Sequence, residues 1–437
     1  MVSMSPLYAL LVLPLLLFTF ADLCRSQNTT TTEYLKLPLL RNNPFASLTE
    51  VLSYDTHRLS VLHNRGTLKF PVVSGAPSGS GEYFVPLSLG TPPQTLLVVA
   101  DTGSDLVWVK CSVCKNNCSS IHPTAFIARH SSTFSPHHCF DSSCRLVHNH
   151  CNRTRRVNTR CHYKYSYGDG SVTSGVFSKE TTTLQTSSGR EARLKNLAFG
   201  CASRISGPSL TGATSNGVMG LGRGPVSFSS QLGRRFGNKF SYCLRDYTIS
   251  PPPTSFLTIG NDVVRKTSRM SFTPLQTNHQ QPSFSYYYIE IQAVSVNRAK
   301  LPIDPSVWSI DESGNGGTIV DSGTTLTYLA EPAYLQVLEA VKRQVRLGYD
   351  LCVNVSGMRR PRLPKLSFKL VGNSLFSPPP RNYFIEAAYG VKCLAIRPVT
   401  SEGLPSVIGN LMQQGFLLEF DNEGSRLGFS RRGCAQP

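Results

Sequence analysis

Apolar positions along most of this chain come in short runs broken by turn residues, not at helical spacing. Tyr83-Phe84-Val85-Pro86-Leu87-Ser88-Leu89-Gly90 and Leu96-Leu97-Val98-Val99-Ala100 read as strands, with Thr91-Pro92-Pro93-Gln94 as the turn between them. After Pro251-Pro252-Pro253, the strongest linker signal of the middle region, the pattern restarts with a strand over Tyr286 to Val296. Aromatic and β-branched residues are spread throughout, and Gly and Pro recur at short intervals, so the spacing predicts many short strands and few long helices. A chain of 437 residues is too long for one ordinary core. The expected fold is mostly β and bilobal, with lobes over residues 76–250 and 251–437.

The N-terminal region breaks this pattern. Leu7 to Phe20 is mostly apolar, of signal-peptide length, and short for a bilayer span. The small residues Cys24 and Ser26 set an expected cleavage before Gln27, with Ala21 as another site, so residues 1–26 are read as a signal peptide. Residues 27–75 begin polar and then carry an amphipathic stretch, Leu48 to Leu62. Their basic residues Lys36, Arg41, Arg58, Arg65 and Lys69 outnumber the acids. They are read as a prosegment ending in the cleavable stretch Ser74 to Ser80; the plainer alternative is a disordered tail. The C-terminal residues carry no apolar tail, so no membrane anchor is expected.

An internal repeat carries the chemistry. Val98-Val99-Ala100-Asp101-Thr102-Gly103-Ser104 matches Thr318-Ile319-Val320-Asp321-Ser322-Gly323-Thr324, 220 residues on. Downstream of each comes an apolar-apolar-Gly element, Val218-Met219-Gly220 and Val407-Ile408-Gly409. An apolar strand ending in Asp-Thr/Ser-Gly puts a carboxylate at the tip of a tight turn. One such Asp is most often a turn or cap residue; two in matched contexts point to a pair. Two carboxylates within hydrogen-bonding distance cannot both ionise, so they share a proton. The aspartic-protease dyad is the standard instance of this effect. The ionised member can take a proton from a water held between them, while the protonated member polarises an amide carbonyl. That is direct water attack through a tetrahedral intermediate at acidic pH, with no cofactor and no metal.

On these motifs the chain resembles the pepsin family, and within it the plant nepenthesin-type branch, from about Glu82 to Cys434. The resemblance implies that Asp101 and Asp321 are catalytic, that Ser104 and Thr324 orient their carboxylates, and that Thr102 and Ser322 bond across the lobes. Gly103 and Gly323 complete the two motifs. Tyr167-Gly168-Asp169-Gly170-Ser171 falls where the family has its flap, a hairpin closing over substrate. Tyr167 is then expected to hydrogen-bond toward Trp108, with Gly168 and Asp169 beside it at the substrate. Read alone, Tyr167 is a ring and a hydroxyl at the edge of a Gly-rich hairpin, or part of an ordinary β-turn, and Trp108 suits a core position.

Of the 13 cysteines, 12 remain after signal removal, an even number that reads as six disulfides in a secreted chain. Sequence leaves their connectivity open. The resemblance implies Cys111–Cys114, Cys118–Cys201, Cys139–Cys161, Cys144–Cys151, Cys243–Cys434 and Cys352–Cys393. Seven of the ten histidines fall between His122 and His162. A zinc cluster there is the sharper reading, but secretion and the even count favour disulfides, and the histidines read as a solvated loop gaining charge below about pH 6.5. Sequons at Asn28, Asn117, Asn152 and Asn354 agree with secretion.

The net charge of +18 reads first as a solvated basic surface, and more sharply as attraction to acidic extracellular polymers such as pectin. No nucleic-acid motif appears. The expected partners are protein or peptide substrates, the expected state a monomer, and the expected location the apoplast or cell wall, with the vacuole as alternative. One stretch departs from the family: only Arg346 and Leu347 separate Val345 from Gly348, where relatives carry a longer segment, which puts folding of the second lobe in question. Two rivals share the fold, a xylanase-inhibitor-type binding protein without peptidase activity and a storage protein. Retention of Asp101, Asp321 and Tyr167 favours the enzyme. Natural substrate and subsite preference are not legible, because cleft loops vary most in such a fold.

Overall fold

The computed structural model describes residues 35–41, 81–112, 125–147, 151, 159–185, 191–210, 215–245, 255–260, 269–280, 286–346, 348, 351–432 and 434. The expected signal peptide, most of the expected prosegment, Pro251–Pro253, Cys114, Cys118, His122, His148, His150, Asn28, Asn117, Asn152 and Leu347 lie outside them.

Among the described residues the largest sheet has 14 strands. It is built outward from the strand that carries Asp101. Gln94–Asp101 pairs antiparallel with Tyr83–Leu89 on one side and parallel with Gly217–Gly220 on the other. Its first half alternates, with Leu97 exposed between buried Leu96 and Val98; from Val98 to Asp101 every residue is buried. That change marks where the strand passes from a one-sided sheet into the interior, as expected once both faces are covered.

The chain then makes the Asp101 turn and returns as Trp108–Lys110 on the far side of Gly217–Gly220, with Trp108 opposite Val218. The apolar-apolar-Gly element is thus threaded between the strand entering the turn and the strand leaving it. The second half repeats this. Thr318–Val320 runs parallel to Ser406–Ile408, and Tyr328 of the returning Thr327–Leu329 strand lies opposite Val407. The glycines are required by this threading. A Cβ on Gly220 would lie 2.2 Å from the Asp105 carbonyl carbon, and one on Gly409 would lie 1.9 Å from the Leu326 carbonyl oxygen.

The two halves share strands. Lys239–Cys243 pairs with Leu417–Asp421 from the chain's last turns, putting Phe240 opposite Phe420. Those rings stack with centroids 4.6 Å apart, and Tyr287 packs on Phe420 at 4.5 Å. The boundary placed at 250/251 falls between the arms of a paired hairpin, Lys239–Cys243 and Ser255–Ile259. Leu35–Arg41, inside the expected prosegment, forms a strand between Ser255–Ile259 and Tyr83–Leu89, with Leu35 opposite Ile259 and Leu40 opposite Phe84. Leu35, Leu37 and Leu39 alternate at strand spacing, a signal weakened by Pro38 and by the short length of the run.

The helix Phe228–Phe236 begins at Ser227, whose hydroxyl accepts from Ser230 N–H, and ends at Gly237 in the left-handed region, the usual glycine stop. The helix Glu331–Lys342 buries Ala333, Tyr334, Val337 and Val341, one face at helical spacing. Beyond it the shortened connection closes locally, with Gly348 N–H bonded to Cys352 O and Leu351 N–H to Gly348 O. No helix among the described residues is long and apolar enough to cross a membrane.

Four of the expected cysteine pairings are corrected, by three observed bonds. Cys111 is bonded to Cys201, replacing both Cys111–Cys114 and Cys118–Cys201. The strand leaving the Asp101 turn runs parallel to Glu191–Ser206, and Cys111 N–H bonds to Ala202 O, which sets the two Cα atoms 5.3 Å apart. In the insert, Cys139 pairs with Cys151 and Cys144 with Cys161, in place of Cys139–Cys161 and Cys144–Cys151. Cys144 and Cys161 are both fully buried, whereas Cys139 and Cys151 are half-buried, so each layer closes on itself. The sulfurs of Cys144, Cys151 and Cys161 lie within 4.8 Å of one another, but all three are committed to these bonds. Cys243–Cys434 and Cys352–Cys393 are joined. The histidines are also more divided than a solvated loop. His130, His138 and His162 are exposed, but His137 is buried, stacked on Phe177 at 5.1 Å and 3.2 Å from the Asp141 carboxylate.

Candidate active site

Each Asp turn holds its own carboxylate by contacts two and three residues on. Gly103 N–H donates to Asp101 Oδ1 at 3.0 Å and the Ser104 hydroxyl to Oδ2 at 2.5 Å. Gly323 N–H donates to Asp321 Oδ1 at 2.8 Å and the Thr324 hydroxyl to Oδ2 at 2.7 Å. Both aspartates are 1% exposed. Such charge-assisted bonds orient an acid that burial alone would leave unpaired.

The two turns then grip one another. Thr102 N–H donates to Ser322 Oγ at 3.1 Å, and Ser322 N–H to Thr102 Oγ1 at 2.9 Å. The Thr102 hydroxyl donates to Val320 O and the Ser322 hydroxyl to Ala100 O, at 3.2 and 2.8 Å. These four reciprocal bonds fix the turns back to back. A Cβ on Gly103 would lie 2.7 Å from Asp321 Oδ2, so only glycine lets the two carboxylate loops come this close.

Above the Asp101 side lies the hairpin of His162–Ser166 and Val172–Gln185. Tyr167 sits at its turn, and Trp108 Nε1–H donates to Tyr167 Oη at 2.5 Å. Burial first, then the charges of Tyr165 and Asp101, push the Tyr167 hydroxyl well above the ordinary phenol range, so it stays protonated. Gly170, with φ +81°, makes the turn. Gly168 is half-buried between Tyr167 and Asp169. Asp169 is buried, not presented to the cleft. Its carboxylate accepts from Ser171 N–H, the Ser171 hydroxyl and Ser209 N–H, tying the hairpin to the loop at Ser209. Its expected place at the substrate is therefore corrected to one inside the hairpin.

Several residues around the turns carried no sequence signal. Asp105 Oδ1 accepts from Gly224 N–H, and Asp105 N–H donates to Tyr165 Oη. Asn410 Nδ2 donates to Ser322 O and to Gly81 O, anchoring the chain just after the expected cleavage stretch. Gln413 Nε2 donates to Asp321 O. Their partners lie up to hundreds of positions away, and a polar residue with a distant partner looks like any surface residue in sequence.

Two like-built β lobes joined by interlocked Asp turns define an acid-protease fold. Residues 83–261 match the family described as xylanase inhibitor N-terminal, and residues 286–431 the one described as xylanase inhibitor C-terminal. Aspartyl protease family protein 2 of Arabidopsis thaliana is 37% identical over 423 residues, spanning 94% of this chain and 83% of that protein. Aspartic proteinase nepenthesin-1 of Nepenthes gracilis is 36% identical over 367 residues, spanning 82% of this chain and 79% of that protein. Among solved structures, edgp superposes with a TM-score of 0.68 at 22% identity, over 91% of this chain and 94% of that one. Soybean basic 7S globulin gives 0.64 at 17% identity, over 91% and 96%. The chain belongs to the nepenthesin-type branch of the pepsin-like aspartic protease family.

Proposed function

We propose that this protein is an aspartic endopeptidase that hydrolyses peptide bonds of proteins at acidic pH. The observation that carries the reading is the reciprocal Thr102–Ser322 grip, which locks together two turns that cradle their carboxylates in the same way. In this reading a water between Asp101 and Asp321 loses a proton to the ionised carboxylate as it attacks the scissile carbonyl. The protonated carboxylate donates to the carbonyl oxygen, giving a neutral tetrahedral gem-diol. Its collapse passes a proton to the leaving nitrogen and regenerates the shared-proton pair. Ser104, Thr324 and the two glycine N–H groups hold the carboxylates in place, and Tyr167 closes over the substrate with the flap.

The same reading includes a cleaved leader, secretion, a prosegment that keeps the precursor inactive, and glycosylation at exposed Asn354. The rival is a pepsin-fold binding protein, favoured by the xylanase-inhibitor descriptions of the two matching families. The deciding experiment is cleavage of acid-denatured globin by the processed protein from about pH 2 to about pH 7, with and without pepstatin, beside Asp101→Asn. Pepstatin-sensitive cleavage that vanishes in the variant is expected. A folded, processed protein that cleaves nothing would favour the binding protein.

A further inference from the structure

The buried carbonyl at the head of each Asp turn needs a donor, and the two halves supply it differently. In the first half Leu221, the residue after Gly220, gives its backbone N–H to Asp101 O at 2.8 Å. In the second half the corresponding N–H, on Asn410 after Gly409, goes instead to Thr324 O at 2.7 Å. Asp321 O is met by a side chain, Gln413 Nε2, at 3.2 Å. Gln413 is wholly buried. Its second amide hydrogen goes to Ile408 O at 2.8 Å, and its Oε1 accepts from the Tyr242 hydroxyl at 2.5 Å.

Tyr242 belongs to the other half of the repeat, on the strand Lys239–Cys243. The converse contact is also present. Tyr287, from the second half, donates its hydroxyl to Leu221 O at 2.8 Å. Each half therefore sends one buried tyrosine to the residue that holds the other half's aspartate carbonyl. Both rings lean on Phe420, with centroids 5.4 and 4.5 Å away. Burial, chiefly, holds both hydroxyls above the ordinary phenol range, so neither loses its proton in acid.

We propose that Tyr242 with Gln413, and Tyr287 with Leu221, form a crossed brace that sets the spacing of Asp101 and Asp321, making Gln413 and both tyrosines positioning residues for hydrolysis. The inference rests on the reading of this pair as a proteolytic dyad. A brace that slackens lets the carboxylates drift apart. Their mutual repulsion then falls, and the two apparent titrations of the pair move toward each other.

The test uses the full chain carrying Tyr242→Phe, Tyr287→Phe, Gln413→Met and the double variant Tyr242→Phe/Gln413→Met. The tyrosine variants remove one oxygen each, so they test the brace even if Gln413→Met fails to fold. The expected result is a fall in kcat of about threefold for each tyrosine and about tenfold for Gln413→Met, with KM held within about twofold and a narrower pH–rate bell. The double variant should be no worse than Gln413→Met, because both changes break one linkage. Gln413→Glu should regain activity as the pH falls, since a protonated carboxyl can again donate and accept. Lower melting temperatures with an unchanged kcat and an unchanged bell would overturn the brace. The same pair is read without turnover by carbon NMR titration of carboxyl-labelled aspartate. If the wild type cleaves nothing, the protease reading falls by itself. The brace then stands only if the two titrations converge in the variants, and fails if they do not.

Discussion

Ser104 and Thr324 each give a hydroxyl to an oxygen of a buried carboxylate. Ser104→Ala and Thr324→Val should each lower kcat roughly tenfold or more, the size expected for losing a hydrogen bond to a charged group at about 1.5 kcal/mol or above, with globin cleavage as the readout. Tyr167→Phe keeps the ring but leaves the Trp108 N–H buried with no acceptor at that position. A loss of about 1–3 kcal/mol of stability is expected, read as a lower denaturant midpoint, with a higher KM as the flap loosens. Gly103, Ser104, Gly323 and Thr324 were legible in the sequence because each acts on a carboxylate two or three positions away, and Thr102 and Ser322 because they stand in matched places of the repeat. Gln413, Tyr242, Asp105 and Tyr165 were not, because their partners lie 92, 171, 119 and 60 positions distant. Asp169 was misplaced for a related reason: its motif showed the hairpin, but the inward set of its carboxylate comes from Ser171 together with the Ser209 loop, 40 positions on.

Among the elements, the hairpin Leu417–Asp421 and Arg426–Ser430 holds a further buried carboxylate, that of Asp421. Desolvation works to raise the Asp421 pKa, but bonds from Lys239 at 2.9 Å, Gly424 N–H at 2.9 Å and Arg426 at 3.0 Å outweigh it, and the net shift is downward. A carboxylate whose folded pKa is depressed contributes stability fully above its unfolded pKa of about 3.9 and loses it as the pH falls through the folded value. Asp421→Asn should therefore lower the melting temperature clearly near neutrality, and the gap to wild type should close below about pH 4. A gap independent of pH would contradict this. Strands over residues 83–101 were legible from alternation and turn residues. The cysteine pairs of the insert were not, because which sulfurs meet depends on strand adjacency and on which faces are buried, and neither leaves a mark in spacing.

At the scale of the whole molecule, the repeat announced two lobes, but their seam runs through shared strands, so a boundary drawn at the proline run cuts a hairpin. The charge of +18 belongs to this scale too. One groove of about 720 Å³ beside the turn at Thr91 is lined by Arg129, His130, Arg193 and the hydroxyls of Ser131 and Ser132. The protein should be retained on immobilised polygalacturonate at low ionic strength and elute as salt shortens the screening length below about 8 Å. Absence of retention at low salt would show the surface charge to be merely solubilising.

The strand Leu35–Arg41 also matters at this scale, because it occupies the middle of a sheet and lies upstream of the stretch expected to be cut. Severing the chain there cuts a covalent connection and leaves every ladder hydrogen bond intact. The segment would become a guest peptide, held at no bond's length from its former chain but by the strands on either side. Its departure would open a slot between Tyr83–Leu89 and Ser255–Ile259, two unsatisfied strand edges facing each other. Such edges accept any extended chain of suitable length, including one from a neighbouring molecule. Under the proposed maturation, release of this segment would also vacate a position that another extended chain could fill.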